Sequence, residues 1–275
     1  MNFLLSFIIF MGCASLHAAD GDQLSFSKKW RTAQTQKNSL LCVGLDPTVS
    51  TEGKLEWCLK IIKEVSPSAA AIKVNYHFVR DLQPEAVKRI AEEIRQQGMV
   101  SILDVKIADI GSTNKSGLLC CKPFDAITYC PFPGNIAETV TEAHTQGLGV
   151  FTLVLMSNPE FAETKSFKNE KGQTYSESLA EKATKFKSDG IVIGAPSPGN
   201  HITKEEIESI KKLYPSGLIL VPGVGAQGGD EKLLIENWER NVIINVGRAI
   251  INDANPSQKA KEFQDLFNQQ LPHKE

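Results

Sequence analysis

Ser-Ile-Leu-Asp-Val-Lys-Ile-Ala-Asp at residues 101–109 sets three charges, Asp104, Lys106 and Asp109, at the end of an apolar run. Side chains on a strand alternate faces, so Asp104 and Lys106 point the same way, and Asp109 falls beyond the strand in a loop. Burying a lone ion is costly, so charges on an inward strand face need partners. Lys73, in the run Ile-Lys-Val-Asn at 72–75, is a second cation at a strand end. Carboxylates near Lys106 keep its ammonium charged, so the array suits a proton donor better than a base. The chemistry it fits is stabilisation of negative charge on a substrate, followed by protonation.

Such side chains must be delivered by strands that end at one level. Apolar runs at 40–45, 70–75, 101–106, 126–130, 149–156, 190–195, 218–223 and 242–246 read as strands. Segments of helical period lie between them, at 54–65, 84–97, 135–146, 175–187, 203–213 and 256–270. Pro84 and Glu85 open one of these with a favourable first-turn proline and an early acid. Eight strands alternating with helices predict the α/β class and a (β/α)8 barrel in a single domain, residues 23–275. An open, doubly wound sheet would alternate in the same way, so the count of eight decides between them.

A barrel of this kind carries its active site at the C-terminal ends of its strands. Polar residues stand there repeatedly: Asp46, Lys73 with Asn75, Asp104 with Lys106, Thr128, Ser157, Gly225 to Gln227, and Gly247 with Arg248. The loop Val-Gly-Ala-Gln-Gly-Gly-Asp at 224–230 follows the seventh strand, and its glycines let backbone N–H groups approach an anion. Arg248, after the eighth, adds a fork-shaped cation that matches a phosphate. The segment 158–173 after the fifth strand reads either as a mobile flap or as an exposed insertion.

The pattern D-x-K-x-x-D-I-G-x-T at 104–113 resembles the signature of the orotidine 5'-phosphate decarboxylase family. Leu-Cys-Val-Gly-Leu-Asp-Pro at 41–47, Ile-Lys-Val-Asn at 72–75, Pro-Gly-Val-Gly-Ala-Gln-Gly-Gly-Asp at 222–230 and Asn-Val-Gly-Arg at 245–248 follow in family order. The Gly-Ala-Gln-Gly-Gly run is most similar to the longer bacterial branch. The resemblance implies loss of CO2 from C6 of orotidine 5'-monophosphate, giving uridine 5'-monophosphate, with Lys106 as proton donor. It implies Asp104 beside the departing carboxylate, with Lys73 and Asp109 completing the array. Gln227 and Arg248 would grip the 5'-phosphate, Asp46 and Thr113 would meet the ribose, and Ser157 the pyrimidine. It further implies a homodimer in which Asp109 and Thr113 reach the neighbouring subunit's site. Cys130 and Pro196 stand where relatives more often carry Asn and Thr, which bears on pocket shape and leaves the charged array untouched.

No cofactor motif is present, and neither the cysteines nor the histidines have metal-ligand spacing, so no cofactor and no metal are expected. A net charge of −2 gives no general affinity for nucleic acid or anionic membrane. Residues 1–22 form an apolar prefix that reads as a signal-like segment, a lipid-anchor box around Cys13 or a mis-assigned start. The run is short for a membrane span, and a nucleotide-synthesis enzyme has its substrate in the cytoplasm, so a cytoplasmic location is expected, with export or anchoring as the other case. Two other functions compete. One is a magnesium-dependent sugar-phosphate decarboxylase of the same superfamily. The other is a nucleotide-phosphate-binding protein that lost turnover.

Overall fold

The computed structural model describes residues 25–225 and 229–272. The prefix and Gln227 lie outside the described residues. Eight parallel strands form a closed barrel: β1 Leu41–Leu45, β2 Ala71–Asn75, β3 Val100–Ile107, β4 Ala126–Tyr129, β5 Gly149–Leu155, β6 Gly190–Ile193, β7 Leu218–Val221 and β8 Val242–Val246. Each pairs with the next, and β8 closes on β1 with Leu41 opposite Ile244 and Cys42 opposite Asn245. Strand order thus follows sequence order around the ring, which is the predicted (β/α)8 architecture.

Alternation along the strands sorts the residues into two apolar layers. Val43, Ile72, Leu103, Ile127, Val150, Ile191, Ile219 and Ile244 face outward and pack under the helices. Cys42, Ala71, Ile102, Ala126, Phe151, Val192, Leu220 and Ile243 face inward and fill the lower barrel. The next inward positions toward the strand ends are Lys73, Asp104, Thr128 and Asn245 on β2, β3, β4 and β8, Gly44 on β1, and Leu153 on β5. On β2, β3, β4 and β8 the interior therefore changes from apolar to polar within one step of the strand period, and that step is the floor of the site.

A helix at Phe26–Lys37 closes the opposite end of the barrel. Its Phe26, Trp30 and Ala33 are buried against the inner layer, and the Phe26 ring meets Phe151 edge-on at 5.2 Å. Phe151 in turn fills the space beside Gly190, where a Cβ would lie 2.2 Å from the ring. This plug is one of the two helices longer than ten residues that the sequence reading lacks among the described residues. The other, Gly111–Cys121, follows β3 directly and carries Thr113 and Asn114 in its first turn.

The segment after β5 is an ordered excursion. It holds a short helix, Phe161–Ser166, and a bridge between Lys168 and Thr174. Lys165 Nζ ties it to the next unit, donating to Glu206 Oε2 at 2.7 Å and to the His201 carbonyl at 2.6 Å. No described helix is long and apolar enough to cross a membrane.

Candidate active site

Asp104 is the centre of the charged array. Its Oδ2 accepts from Lys73 Nζ at 2.7 Å, and its Oδ1 accepts from Lys106 Nζ at 2.6 Å and Thr128 Oγ1 at 2.9 Å. Burial works against the Asp104 charge, yet the two ammonium groups outweigh it and hold the carboxyl far below its ordinary range. Burial likewise opposes the charge on Lys73, and the Asp104 carboxylate overcomes it, so Lys73 is shifted upward and stays an ammonium. The array is an ion triplet with its carboxylate and one lysine buried and the other lysine, Lys106, 38% exposed at the mouth.

Lys106 does not sit on a regular strand. Its φ is +49°, and the register between β3 and β4 shifts between Leu103 and Ile107. A left-handed conformation costs a non-glycine residue about 1 kcal/mol. Here it is held by the Lys106 N–H, which donates to Thr128 Oγ1 at 3.0 Å, while the same hydroxyl donates to Asp104. Thr128 therefore fixes both ends of the Asp104–Lys106 pair. Strict alternation placed the two side chains on one face; the bulge re-aims Lys106 while keeping the contact.

The polar cavity beside this array has a volume of about 180 Å³ and is lined by Asp46, Lys73, Pro222, Gly223, Val224, Asn245, Gly247 and Arg248. Asp46 Oδ1 is buried there without a hydrogen-bond partner among the described residues. Gly225 has φ +83° and would bring any Cβ to 3.2 Å from Ala249, so this turn requires glycine. The loop closes behind it where Gly229 N–H donates to the Gly223 carbonyl at 3.1 Å. Arg248 is exposed at the first turn of the short helix Arg248–Ile251. The structure thus brings Asp46, Lys73, Gly247 and Arg248 to one cavity, beside Asp104, Lys106 and Thr128.

A second, adjoining cavity of about 170 Å³ shares Gly223 and is lined by Ser157, Ala195, Ser197, Gly199 and Asn200. Ser157 is packed so closely on Gly194 that a Cβ at position 194 would lie 2.8 Å from Ser157 Cβ. Asn200 winds the wall: its amide donates to the Ala195 carbonyl at 2.8 Å and accepts from the Ile202 N–H at 3.1 Å. Asn75 ends β2 as the N-cap of the short helix Tyr76–Val79, accepting from His77 N–H at 3.2 Å.

Asp109 and Thr113 do not join the array within one chain. Both are exposed. Asn114, buried in the first turn of its helix, accepts from the Asp109 N–H at 3.0 Å and donates to Thr139 at 3.1 Å, and Asn135 donates to the Asp109 carbonyl at 3.2 Å. The backbone at Asp109 is fixed while its carboxylate faces outward. Asn114, Asn200 and Asn245 are among the residues at this end of the barrel that sequence reasoning passed over. Asn245 lay inside a quoted motif, and Asn114 followed Thr113 directly.

Residues 39–263 match the model of the "Orotidine 5'-phosphate decarboxylase / HUMPS family". An orotidine 5'-phosphate decarboxylase of Dehalococcoides mccartyi is 31% identical over 78% of this chain and 82% of its own length. Among solved structures, the orotidine 5'-monophosphate decarboxylase of Methanocaldococcus jannaschii, complexed with the inhibitor BMP, superposes with a TM-score of 0.68 at 28% identity. That match covers 83% of this chain and 98% of the other. The UMP synthase of Leishmania donovani superposes with a TM-score of 0.76 at 27% identity over 89% of this chain. The chain spans only 56% of that longer protein. On the barrel, the strand-end array and these matches, the chain belongs to the orotidine 5'-phosphate decarboxylase / HUMPS family, a family of lyases.

Proposed function

We propose that the chain decarboxylates orotidine 5'-monophosphate to uridine 5'-monophosphate without a cofactor. The observation that carries this reading is the Lys73–Asp104–Lys106 triplet at the end of β2 and β3, beside a cavity bearing Arg248. The substrate's phosphate lies at Arg248, Gln227 and the glycine-rich turn, its ribose at Asp46 and its pyrimidine toward Ser157. Breaking the C6–carboxylate bond releases CO2 and leaves the electron pair on C6. The Lys106 ammonium stabilises that charge, then transfers a proton to C6 and is reprotonated from solvent. An ammonium about 4 Å from the carbanion contributes about 4 kcal/mol at an effective dielectric of 20. Asp104 repels the substrate carboxylate until it departs as neutral CO2, and Lys73 keeps Asp104 charged and in place.

Magnesium-dependent chemistry at Asp104 is disfavoured by its own contacts, since both oxygens already accept from ammonium or hydroxyl groups. A homodimer completes the site: Ile110, next in the chain to the exposed Asp109, and Phe132, in the turn after β4, are apolar side chains 62% and 85% exposed. In that assembly Asp109 and Thr113 serve the partner's substrate. The reaction belongs in the cytoplasm, where nucleotide synthesis supplies its substrate. In D2O the expected product is uridine 5'-monophosphate carrying deuterium at C6, read by NMR. Failure of the full-length protein to convert the substrate would overturn the assignment.

A further inference from the structure

A cavity of about 880 Å³ opens on the rim of the barrel beside the plug helix. Arg31 comes to it from that helix, Lys211 from the last turn of the helix Lys204–Leu213, and Asn268 from the helix Pro256–Gln269. Glu239, Arg240 and Asn241 form the single turn that leads into β8. That strand begins at Val242, so Asn241 stands at the opposite end of it from Arg248. The proposed reaction uses none of these residues, and the volume suits a small-molecule ligand.

Three cations line the cavity, Arg31, Lys211 and Arg240, against one carboxylate, Glu239. None of the three is in an ion pair among the described residues: Arg31 Nη2 donates to Asn241 Oδ1 at 3.0 Å, and Lys211 Nζ to the Pro215 carbonyl at 2.8 Å. Lys211 also lies over the Trp238 ring, 5.0 Å from its centroid. Burial works against the Lys211 charge and Glu239 supports it, so a bound anion would relieve the burial cost further. The wall is set in advance. Glu239 has φ +50° and ψ −121°, a backbone that favours glycine, and strain of this kind gathers at ligand clamps. Buried Gln34 donates to the Arg240 carbonyl at 2.7 Å and fixes the backbone of the next residue. Asn268 Oδ1 is buried without a hydrogen-bond partner among the described residues, an acceptor left for a donor on a ligand.

We propose that this cavity binds a polyphosphate chain, free or as part of a nucleotide, with its phosphates on Arg31, Arg240 and Lys211. Two guanidinium forks and an ammonium match phosphate oxygens, and three cations against one carboxylate leave the lining positive for a multiply charged anion. The site is separate from the one that holds the substrate's phosphate and does not depend on the reaction assigned there.

Calorimetric titration of the full chain with inorganic triphosphate and with adenosine 5'-triphosphate, in metal-chelated buffer, tests it. Both should bind the wild type. Arg248→Ala, which disables the phosphate grip at the strand ends, should leave both affinities within about two-fold. Arg31→Ala and Arg240→Ala should each weaken both ligands by about ten-fold or more, the scale of a lost charge-assisted hydrogen bond. Both side chains are exposed, so the fold should be unaffected, which circular dichroism verifies. Glu239→Gln removes the one carboxylate and should tighten binding by about two- to five-fold, a gain that a damaged fold would not give. Tighter binding of the nucleotide than of triphosphate assigns Asn268 to its sugar or base, and equal binding assigns the site to the phosphate chain alone; either result supports the site. A wild type that binds neither ligand, or binding that is unchanged in Arg31→Ala and Arg240→Ala, would overturn it.

Discussion

Asp104 carries three donors on two oxygens, and Thr128 is the one among them without charge. Its hydroxyl also accepts the Lys106 N–H, so it holds the left-handed backbone that aims the proton donor. Replacing it by Val keeps the volume and removes both bonds. Hydrogen bonds to charged groups contribute about 1.5–3 kcal/mol, so Thr128→Val should lower kcat by roughly 10- to 100-fold with little change in KM. A parallel fall in affinity for uridine 5'-monophosphate would show that Thr128 shapes the pocket and does not position Lys106. At this scale the sequence was informative where charge broke an apolar pattern, as at Lys73, Asp104 and Lys106. It was silent where position depends on a neighbour from far along the chain. Asn245 acquires its meaning only when β8 closes on β1, and Asp109 is fixed by Asn135 from beyond the next strand.

Strands were legible as elements because each is a short β-branched run bounded by polar residues. Their bounds match the prediction to within two residues at either end, and the helix Pro84–Gln96 starts at its predicted proline. The helix Gly111–Cys121 was not legible, because Gly-Ser-Thr-Asn-Lys-Ser-Gly offers small and polar residues with no apolar stripe. The plug helix was readable in principle, since Phe26, Trp30 and Ala33 recur at one helical face. Trp30 is fully buried, so Trp30→Ala should cost about 3–5 kcal/mol in chemical denaturation; a loss under about 1 kcal/mol would mean that the barrel end closes without it.

A second test concerns the last turn of the helix Ile136–Thr145. His144 Nε2 lies 2.7 Å from Asp189 Oδ2, and this hydrogen bond raises the imidazole pKa above 6.5 against the opposing effect of burial. A raised folded-state value means that the stabilisation is complete below the unfolded pKa and fades as pH rises through the folded one. The gap in Tm between wild type and His144→Ala should therefore be wider near pH 5.5 than near pH 8.5. A gap independent of pH would assign the effect to packing.

The whole molecule divides its labour along the barrel axis: apolar closure at the end of the plug helix, charge at the other. Because the interior is filled below the level of Lys73, the charged layer stands on a rigid floor, and preorganised charge needs no rearrangement as the reaction proceeds. The one part of the proposed array that a single chain leaves outside is Asp109. If the site is completed by a second copy, Asp109→Ala and Lys106→Ala proteins should each be inactive alone and regain activity on mixing, since a mixed dimer restores one intact site; mixtures that stay inactive despite exchange of subunits would count against sharing. The most direct test of the account is the rate of loss of orotidine 5'-monophosphate absorbance in metal-chelated buffer, for wild type and Lys106→Ala. The fixed-charge mechanism predicts turnover that survives chelation and falls at least about 1000-fold in the variant, the product of a lost proton donor and a lost stabilising charge. Activity that vanishes on chelation, or a variant that retains it, would contradict the mechanism.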